Sequence, residues 1–169
     1  MKHHPTLPTF GDIVPGEGGR LGAILRGALV GKKREPDYAV IVPLADLADL
    51  KESPWGQRGQ DVAGAKSFTD GWRNTLAMAA SGCAIATQVR QLTIEGHSDL
   101  YIPARAEMWA LYANVPELFD KRTYWTSTQS DSHVAYAQDF AYGYSYWGGK
   151  VNELRVRAVR RIQLHHFTA

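Results

Sequence analysis

Residues 124–149 read YWTSTQSDSHVAYAQDFAYGYSYWGG, a stretch in which two short strand patterns lead into a polar, aromatic and glycine-rich segment. The strand patterns cover residues 124–128 and 134–140, where aromatic and β-branched residues are frequent. A further strand pattern covers residues 154–162, where apolar and basic residues alternate as they do when one face of a strand points inward. This part of the chain therefore predicts a small sheet whose short strands are joined by long loops.

The part of the chain before these strands predicts one hairpin followed by three short helices. Asp70 is placed to cap the first helix, and Gly82 stands where a helix C-terminus favours a residue with positive φ. The third helix carries Met108 and Leu111 at helical spacing. A hairpin, helices and then a small sheet indicate the α+β class. The predicted strands cover residues 21–30 and 38–42, and the predicted helices cover residues 71–80, 84–91 and 105–113.

Length and composition predict one globular domain with a short leader. The 169 residues fit a single domain, and the 44% of hydrophobic residues excludes the composition of a disordered chain. Residues 1–20, rich in proline and glycine, are predicted to form an irregular leader or attachment segment, followed by a binding domain over residues 21–169. A net charge of +2 does not indicate a nucleic-acid-binding protein, and no apolar run is long enough for membrane insertion. The N-terminus lacks the apolar core of a signal peptide, so export by the general secretory route is not expected.

Patterns that would indicate an enzyme or a metal protein are weak. Cys83 is the single cysteine, which excludes an intrachain disulfide, and it is interpreted as a small buried hydrophobic residue. The histidine pairs at residues 3–4 and 165–166 have no partners at the spacing of a zinc site. The triplet Glu-Pro-Asp at residues 35–37 is similar to one used by calcium-dependent lectins, but the six to eight or so oxygen ligands of calcium cannot be assembled around it. We therefore expect no metal, no cofactor and no catalytic site.

Arg155 and Arg157 share one face of the last predicted strand. Two interpretations are open for this face. The arginines pair with carboxylates and cover the sheet, which is the more frequent arrangement, or they bind phosphate or an acidic sugar.

The segment over residues 130–149 is the strongest candidate for a binding surface. It holds four of the eight tyrosines of the chain, together with tryptophan, serine and glycine, which is the composition of an antibody paratope. Tyrosine and tryptophan give large contact areas at low entropic cost, and serine and glycine give adaptable spacing. The alternative is that the rings pack under the loop as a local core, as is expected for Phe140. The candidate contact residues are Ser130, Asp131, Ser132, His133, Tyr136, Tyr142, Tyr144, Ser145, Tyr146 and Trp147.

Three ordered motifs occur between residues 70 and 162: GHSDLYIPARAEM at residues 96–108, YWTST at residues 124–128 and LRVRAVRR at residues 154–161. Together they resemble the Lcl-type C-terminal domain family, which is related to the formylglycine-generating-enzyme and C-type-lectin-like folds. The family pattern has tryptophan in place of Leu100 and proline in place of Ala158. The resemblance implies a C-type-lectin-like domain with short helices, a small antiparallel sheet and long loops. The enzyme branch of this fold uses a pair of cysteines, so the lone Cys83 argues against that activity.

The sequence PGEGG at residues 15–19, followed by a hairpin, resembles the version of this domain found in phages and prophages. In some relatives the region between the second and third motifs is a variable target-binding region, which corresponds here to residues 129–152. The resemblance therefore implies a receptor-binding phage tail protein on the virion. Its partners would be a host-surface glycan or protein and other tail proteins, with a trimer as the suggested assembly. The alternative is a structural tail fibre or baseplate component whose aromatic loop packs on a neighbouring subunit. The scaffold would include Trp125, Phe140, Val156 and Val159.

Overall fold

The computed structural model describes residues 7–167, which form short strands and three α-helices. This confirms the predicted α+β class. The strands are β1 (Ile13–Val14), β2 (Gly19–Leu25), β3 (Leu29–Val30), β4 (Lys33–Arg34), β5 (Tyr38–Pro43), β6 (Asp49–Ser53), β7 (Thr123–Gln129), β8 (Val134–Asp139), β9 (Ser145–Gly149), β10 (Leu154–Arg157) and β11 (Arg160–Gln163). The helices are α1 (Gly71–Ala80), α2 (Ala84–Gln91) and α3 (Arg105–Asn114), and short 3-10 turns cover Asp46–Ala48, Pro116–Leu118 and Leu164–Phe167.

The helices begin and end where their sequence signals indicate. The predicted bounds of α1 and α2 are confirmed, and α3 ends one residue later than predicted. The Asp70 side chain accepts a hydrogen bond from the backbone N–H of Arg73 at 3.1 Å and so caps α1. Gly82 follows α1 with a φ of +82°, a conformation that costs glycine little and other residues more.

Strands from the two ends of the chain meet in an antiparallel sheet with the order β1-β2-β5-β11. β5 lies inside this sheet and is buried along its whole length. Part of the segment predicted to be an irregular leader belongs to the sheet, since β1 pairs with the start of β2. Residues 1–6 of that segment lie outside the described residues, and its attachment role stays a prediction.

The predicted hairpin is confirmed as the pairing of β2 with β5, but its first strand is shorter than predicted. β2 ends at Leu25 instead of residue 30, and β3 and β4 form a separate two-stranded ribbon. The interruption lies at Gly27, whose backbone packs against the Glu35 carbonyl group with no room for a Cβ atom.

The second sheet has the order β6-β10-β7-β8-β9, with β10 parallel to β7 and the other neighbours antiparallel. The strand predicted over residues 154–162 is wrong in extent, because it is divided into β10 and β11, which belong to different sheets. Between them, the Ala158 N–H donates to the Ala48 carbonyl at 2.7 Å, and Val159 pairs with Tyr101. Both residues are fully buried, so the chain passes from one sheet to the other through the core.

Two hydrophobic cores hold these layers together. The first lies between the second sheet and helices α1 and α2 and contains Trp55 and Trp125. Their indole N–H groups donate to the carbonyls of Thr126 at 2.8 Å and Ser53 at 2.9 Å, respectively, so both rings are buried with their polar atom satisfied. The second core lies between α3 and both sheets. The residues expected in the scaffold, Trp125, Phe140, Val156 and Val159, are all buried.

A buried carboxylate fixes the start of α3. Glu107 accepts hydrogen bonds from the hydroxyl groups of Tyr38 and Tyr101 at 2.6 and 2.8 Å. It also accepts from the backbone N–H groups of Ala104 at 2.7 Å and Gly71 at 3.1 Å. Burial raises the pKa of the Glu107 carboxyl, although these four donors favour its charged form. The group thus connects β5, α1 and α3. No helix within residues 7–167 is long and apolar enough to cross a bilayer.

Candidate binding surface

The aromatic segment predicted as a loop is largely an edge strand. β9, with the sequence SYWGG, pairs along its length with β8 and forms one edge of the second sheet. Tyrosine and tryptophan favour strands when a neighbouring strand offers its backbone and a flat surface, and β8 offers both. The loop prediction for residues 145–149 is therefore wrong.

The register of this pairing divides the rings between the two faces of the sheet. Trp147 lies opposite Tyr136, and Tyr146 lies opposite Ala137. Because neighbouring residues of a strand point to opposite faces, Tyr136 and Trp147 share one face while Tyr146 lies on the other. Ser145 lies on the Trp147 face, but its hydroxyl oxygen is buried and has no hydrogen-bond partner in the described part of the chain.

The turn between β8 and β9, which we call the tyrosine turn, presents two tyrosines to solvent. Tyr142 and Tyr144 are 80% and 67% exposed, and their ring centroids lie 6.5 Å apart. Between them Gly143 has a φ of +84°, and a Cβ at this position would come within 2.6 Å of the Tyr112 hydroxyl oxygen. Asp139 holds the turn, since its carboxylate accepts a hydrogen bond from the Ala141 N–H at 2.7 Å. The exposed rings therefore stand on a turn of fixed shape.

The polar residues of the predicted site lie at the other end of β8, in the turn over residues 130–133. The Asp131 carboxylate accepts from the N–H groups of His133 at 2.6 Å and Val134 at 3.0 Å, and these bonds lower its pKa. The Ser132 hydroxyl lies 2.8 Å from Nδ1 of His133. At about 3.3 Å per strand residue, β8 places this turn roughly 20 Å from the tyrosine turn. The structure thus separates the predicted residues into two groups.

A compact aromatic cluster surrounds Arg105 between these two turns. Tyr136 forms its floor, being only 8% exposed, and the Arg105 guanidinium carbon lies 4.2 Å from the Tyr136 ring centroid. The same carbon lies 4.7 Å from the Trp109 ring and 5.0 Å from the Phe68 ring. Phe68 and Trp147 each meet Tyr136 edge to face, at 5.4 and 5.6 Å. We call these five residues the Arg105 cluster.

The Arg105 cluster is open to solvent above its floor. Phe68, Trp109 and Trp147 are between 48% and 59% exposed, although they are among the largest apolar side chains of the chain. The terminal nitrogens of Arg105 make no hydrogen bond or ion pair with a described residue, and its Nε is buried without a partner. Large rings and an uncompensated cation therefore share one surface.

The sequence alone did not single out three members of this cluster: Phe68, Arg105 and Trp109. Arg105 and Trp109 are four residues apart on α3 and so lie on the same helix face, a spacing that could have been noticed. Phe68 lies in the connection before α1, and no local pattern links it to β8. Its place in the cluster depends on the tertiary fold.

Arg155 and Arg157 pair with a carboxylate, as the more frequent of the two interpretations expects. Arg155 lies 2.9 Å from Asp49, and Arg157 lies 3.5 Å from the same carboxylate. Arg157 also donates to the Pro43 carbonyl at 2.8 Å. The two side chains attach β10 to the first residue of β6, and Arg157 also attaches it to the end of β5.

Cys83 lies at the wall of a separate, mainly apolar cavity of about 480 Å³. Its thiol is buried, and this burial raises the pKa of the thiol. Within residues 7–167, no three histidine, cysteine, aspartate or glutamate side chains are grouped as a metal site would require. His3 and His4 lie outside the described residues.

The sequence matches no protein-family model and no curated protein.

Proposed function

We propose that this chain is the receptor-binding domain of a phage tail-associated adhesin with a C-type-lectin-like fold, and that it acts by binding and not by catalysis. One observation carries the proposal: the three large aromatic rings of Phe68, Trp109 and Trp147 stand half-exposed together in the Arg105 cluster. Contiguous exposed apolar surface of this kind marks a contact site more often than a free surface.

The cluster has the properties of a preorganised contact surface. Arg105 and Trp109 belong to α3, and Tyr136 and Trp147 belong to paired strands, so their positions do not depend on mobile loops. Rings already held in place lose little conformational entropy when a ligand covers them, and aromatic residues dominate binding energy at interfaces.

The tyrosine turn extends this surface along α3. Tyr112 lies three residues after Trp109 on the helix and packs beneath Gly143 at the centre of the turn. The turn carries Tyr142 and Tyr144, so a ligand larger than one sugar or side chain has room to contact both regions. By contrast, Tyr146 lies on the opposite face of the sheet, and the polar turn over residues 130–133 lies at the other end of β8 from the tyrosine turn, so we assign them a lesser part.

The placement of the motifs supports the proposed lectin-like fold. Tyr101 and Glu107, from the first motif, form the buried hydrogen-bond network at the start of α3. The second motif is the buried strand β7, and the third supplies β10 and β11. The motifs thus supply much of the scaffold, while the region between the second and third contains Trp147 and the exposed Tyr142 and Tyr144.

A panel of intact bacterial strains tests the proposed function. Labelled protein, multimerised so that weak single sites act together, is incubated with each strain and the bound label is measured. Strain-selective, saturable binding is the expected result. Absence of binding to every strain, or equal binding to all, would contradict the proposal.

A structural tail component is the second candidate, and the position of β9 favours it. β9 is an edge strand, and within the described residues no strand pairs with its outer side. Such edges are usually covered or used to add a strand from another chain. Chemical labelling of residues 142–147 in intact particles separates the two candidates. Protection favours the structural component, and labelling as strong as in the free protein favours the adhesin.

A further inference from the structure

We propose that the Arg105 cluster recognises a carboxylated sugar, with Arg105 as the residue that selects the acidic ligand. This inference rests on the proposed receptor-binding function and names the ligand class of the same surface.

The charge of Arg105 is left without compensation by residues 7–167, the part of the chain that the structure describes. Arg160 and Arg155 are neutralised by carboxylates, since Arg160 lies 2.8 Å from Glu17 and 2.6 Å from Asp99, and Arg155 lies 2.9 Å from Asp49. No carboxylate of the described residues lies within ion-pair distance of Arg105, whose contacts are the faces of three rings. Because no carboxylate of the described residues pairs with it, this guanidinium can bind an anion from outside the chain.

The free hydrogen-bond donors of Arg105 also favour an anionic ligand, and a carboxylate in particular. Its terminal nitrogens make no hydrogen bond or ion pair with a described residue, and these are the donors that an outside ligand would meet; its Nε is buried and also has no partner. A guanidinium offers parallel N–H groups that match the two oxygens of a carboxylate. A neutral ligand would leave these donors without the charge-assisted bonds that their arrangement allows.

The rings around Arg105 favour a sugar acid over an acidic peptide. A pyranose sugar acid carries its carboxyl group directly on a ring whose C–H face is flat and apolar. Phe68 and Trp109 lie beside the cation, and Trp147 packs on Tyr136 beneath it, so these exposed rings offer flat apolar surface against which such a ring can pack while its carboxylate meets Arg105. An acidic peptide would instead bring polar backbone groups that need hydrogen-bond partners among these rings.

The test compares carboxylated polymers with their own carboxyl-reduced forms. The immobilised, multimerised protein is exposed to alginate and to polysialic acid, and then to the same polymers after their carboxyl groups have been reduced to alcohols. Dextran sulfate and a poly-glutamate peptide are the competing anions. We expect at least one carboxylated polymer to bind, with a loss of about tenfold or more on reduction, as the removal of a charge-assisted pair implies.

Three single variants locate the effect. Arg105→Gln should lose about tenfold or more for the carboxylated polymer, and Arg105→Lys should lose an intermediate amount because it keeps the charge but not the paired N–H groups. Arg90→Gln is the matched control. Arg90 also lies over a tryptophan, at 4.5 Å from the Trp72 ring, but it donates to the Leu100 carbonyl at 3.1 Å and lies outside the cluster. Each variant is used only at temperatures below its melting transition.

The outcomes separate this inference from the proposed function. Equal binding of the native and reduced polymers, binding of neither carboxylated polymer, or stronger binding of the sulfated or peptide polymer would overturn the inference. If Arg105→Gln also keeps full strain-selective binding to cells, the adhesin proposal stands while the sugar-acid inference fails. If the native protein binds no strain, the proposed function fails first.

Discussion

The guanidinium carbon of Arg105 lies 4.2 Å from the centroid of the Tyr136 ring, which joins the first turn of α3 to the middle of β8. This contact links a helix that packs between both sheets to the hairpin that carries the exposed rings. Tyr136 is thus a structural floor, and Trp147 is a candidate contact residue on the same face. The two residues should respond differently to substitution.

Tyr136→Ala should lower the free energy of unfolding by about 3 kcal/mol, because it opens a cavity beneath Arg105, Phe68 and Trp147. Trp147→Ala should change it by only about 0.5 kcal/mol, since more than half of that side chain is already exposed. Urea titration followed by circular dichroism measures both values. Equal effects of the two substitutions would contradict the division into floor and contact residue.

Replacing Gly143 should distort the tyrosine turn. Gly143→Ala places a side chain at a φ of +84° and against the Tyr112 hydroxyl, so we expect a loss of about 1 kcal/mol or more. Gly148→Ala is the control, because its Cβ would meet no atom closer than 3.5 Å. Denaturant titration gives the stability, and amide spectra report whether Tyr142 and Tyr144 move. A Gly143→Ala variant as stable as the native protein, with unchanged spectra, would show that the turn is not constrained as described.

The ion pair between Asp99 and Arg160 should make stability depend on pH in the acid range. Burial opposes ionisation of Asp99, but the Arg160 guanidinium outweighs it and holds the pKa of this carboxyl below its ordinary value. A depressed folded-state pKa contributes stability that is present above the unfolded value of about 3.9 and is lost as the pH falls through the folded value.

Asp99→Asn removes this contribution. The difference in unfolding free energy between the native protein and the variant should therefore be largest at neutral pH and should shrink below about pH 4. Denaturant titrations across this range measure the difference. A difference that grew as the pH fell would contradict the assignment of the pair.

The β8–β9 register predicts that neighbouring aromatic residues differ in binding. Trp147→Ala should weaken binding to a responsive strain by about tenfold, because this ring packs on Tyr136, the floor of the Arg105 cluster. Tyr146→Ala, on the opposite face, should stay within about twofold of the native protein. Titration of labelled protein on cells gives both affinities. The reverse order would place the contact surface on the other face of the sheet.

The sequence predicted the local elements better than their assembly. The positions of α1 and α2 follow from Asp70, Gly82 and helical periodicity, all of which act within a few residues. The division of residues 154–162 between two sheets could not be predicted in this way, because it depends on contacts of Ala158 and Val159 with residues far away in the chain.

The candidate site shows the same limit. Its richness in tyrosine and tryptophan is visible in the sequence, but a composition does not say which rings share a face. That assignment needs the pairing of Tyr136 with Trp147, and the Arg105 cluster also needs Phe68, which is separated from both by long stretches of chain. Pairing and tertiary contacts fix these neighbours, and local propensity does not.

The most direct test of the central claim compares two matched triple variants for binding to the strain that binds the native protein best. One replaces Phe68, Trp109 and Trp147 with alanine, and the other replaces Leu29, Val30 and Leu47, which are also exposed apolar residues but lie elsewhere. Both variants must first show cooperative unfolding. We expect the first variant to lose about tenfold or more in affinity, and the second to stay within about twofold of the native protein. Native-like binding by the first variant, or equal losses in both, would contradict the claim that the Arg105 cluster is the receptor-binding surface.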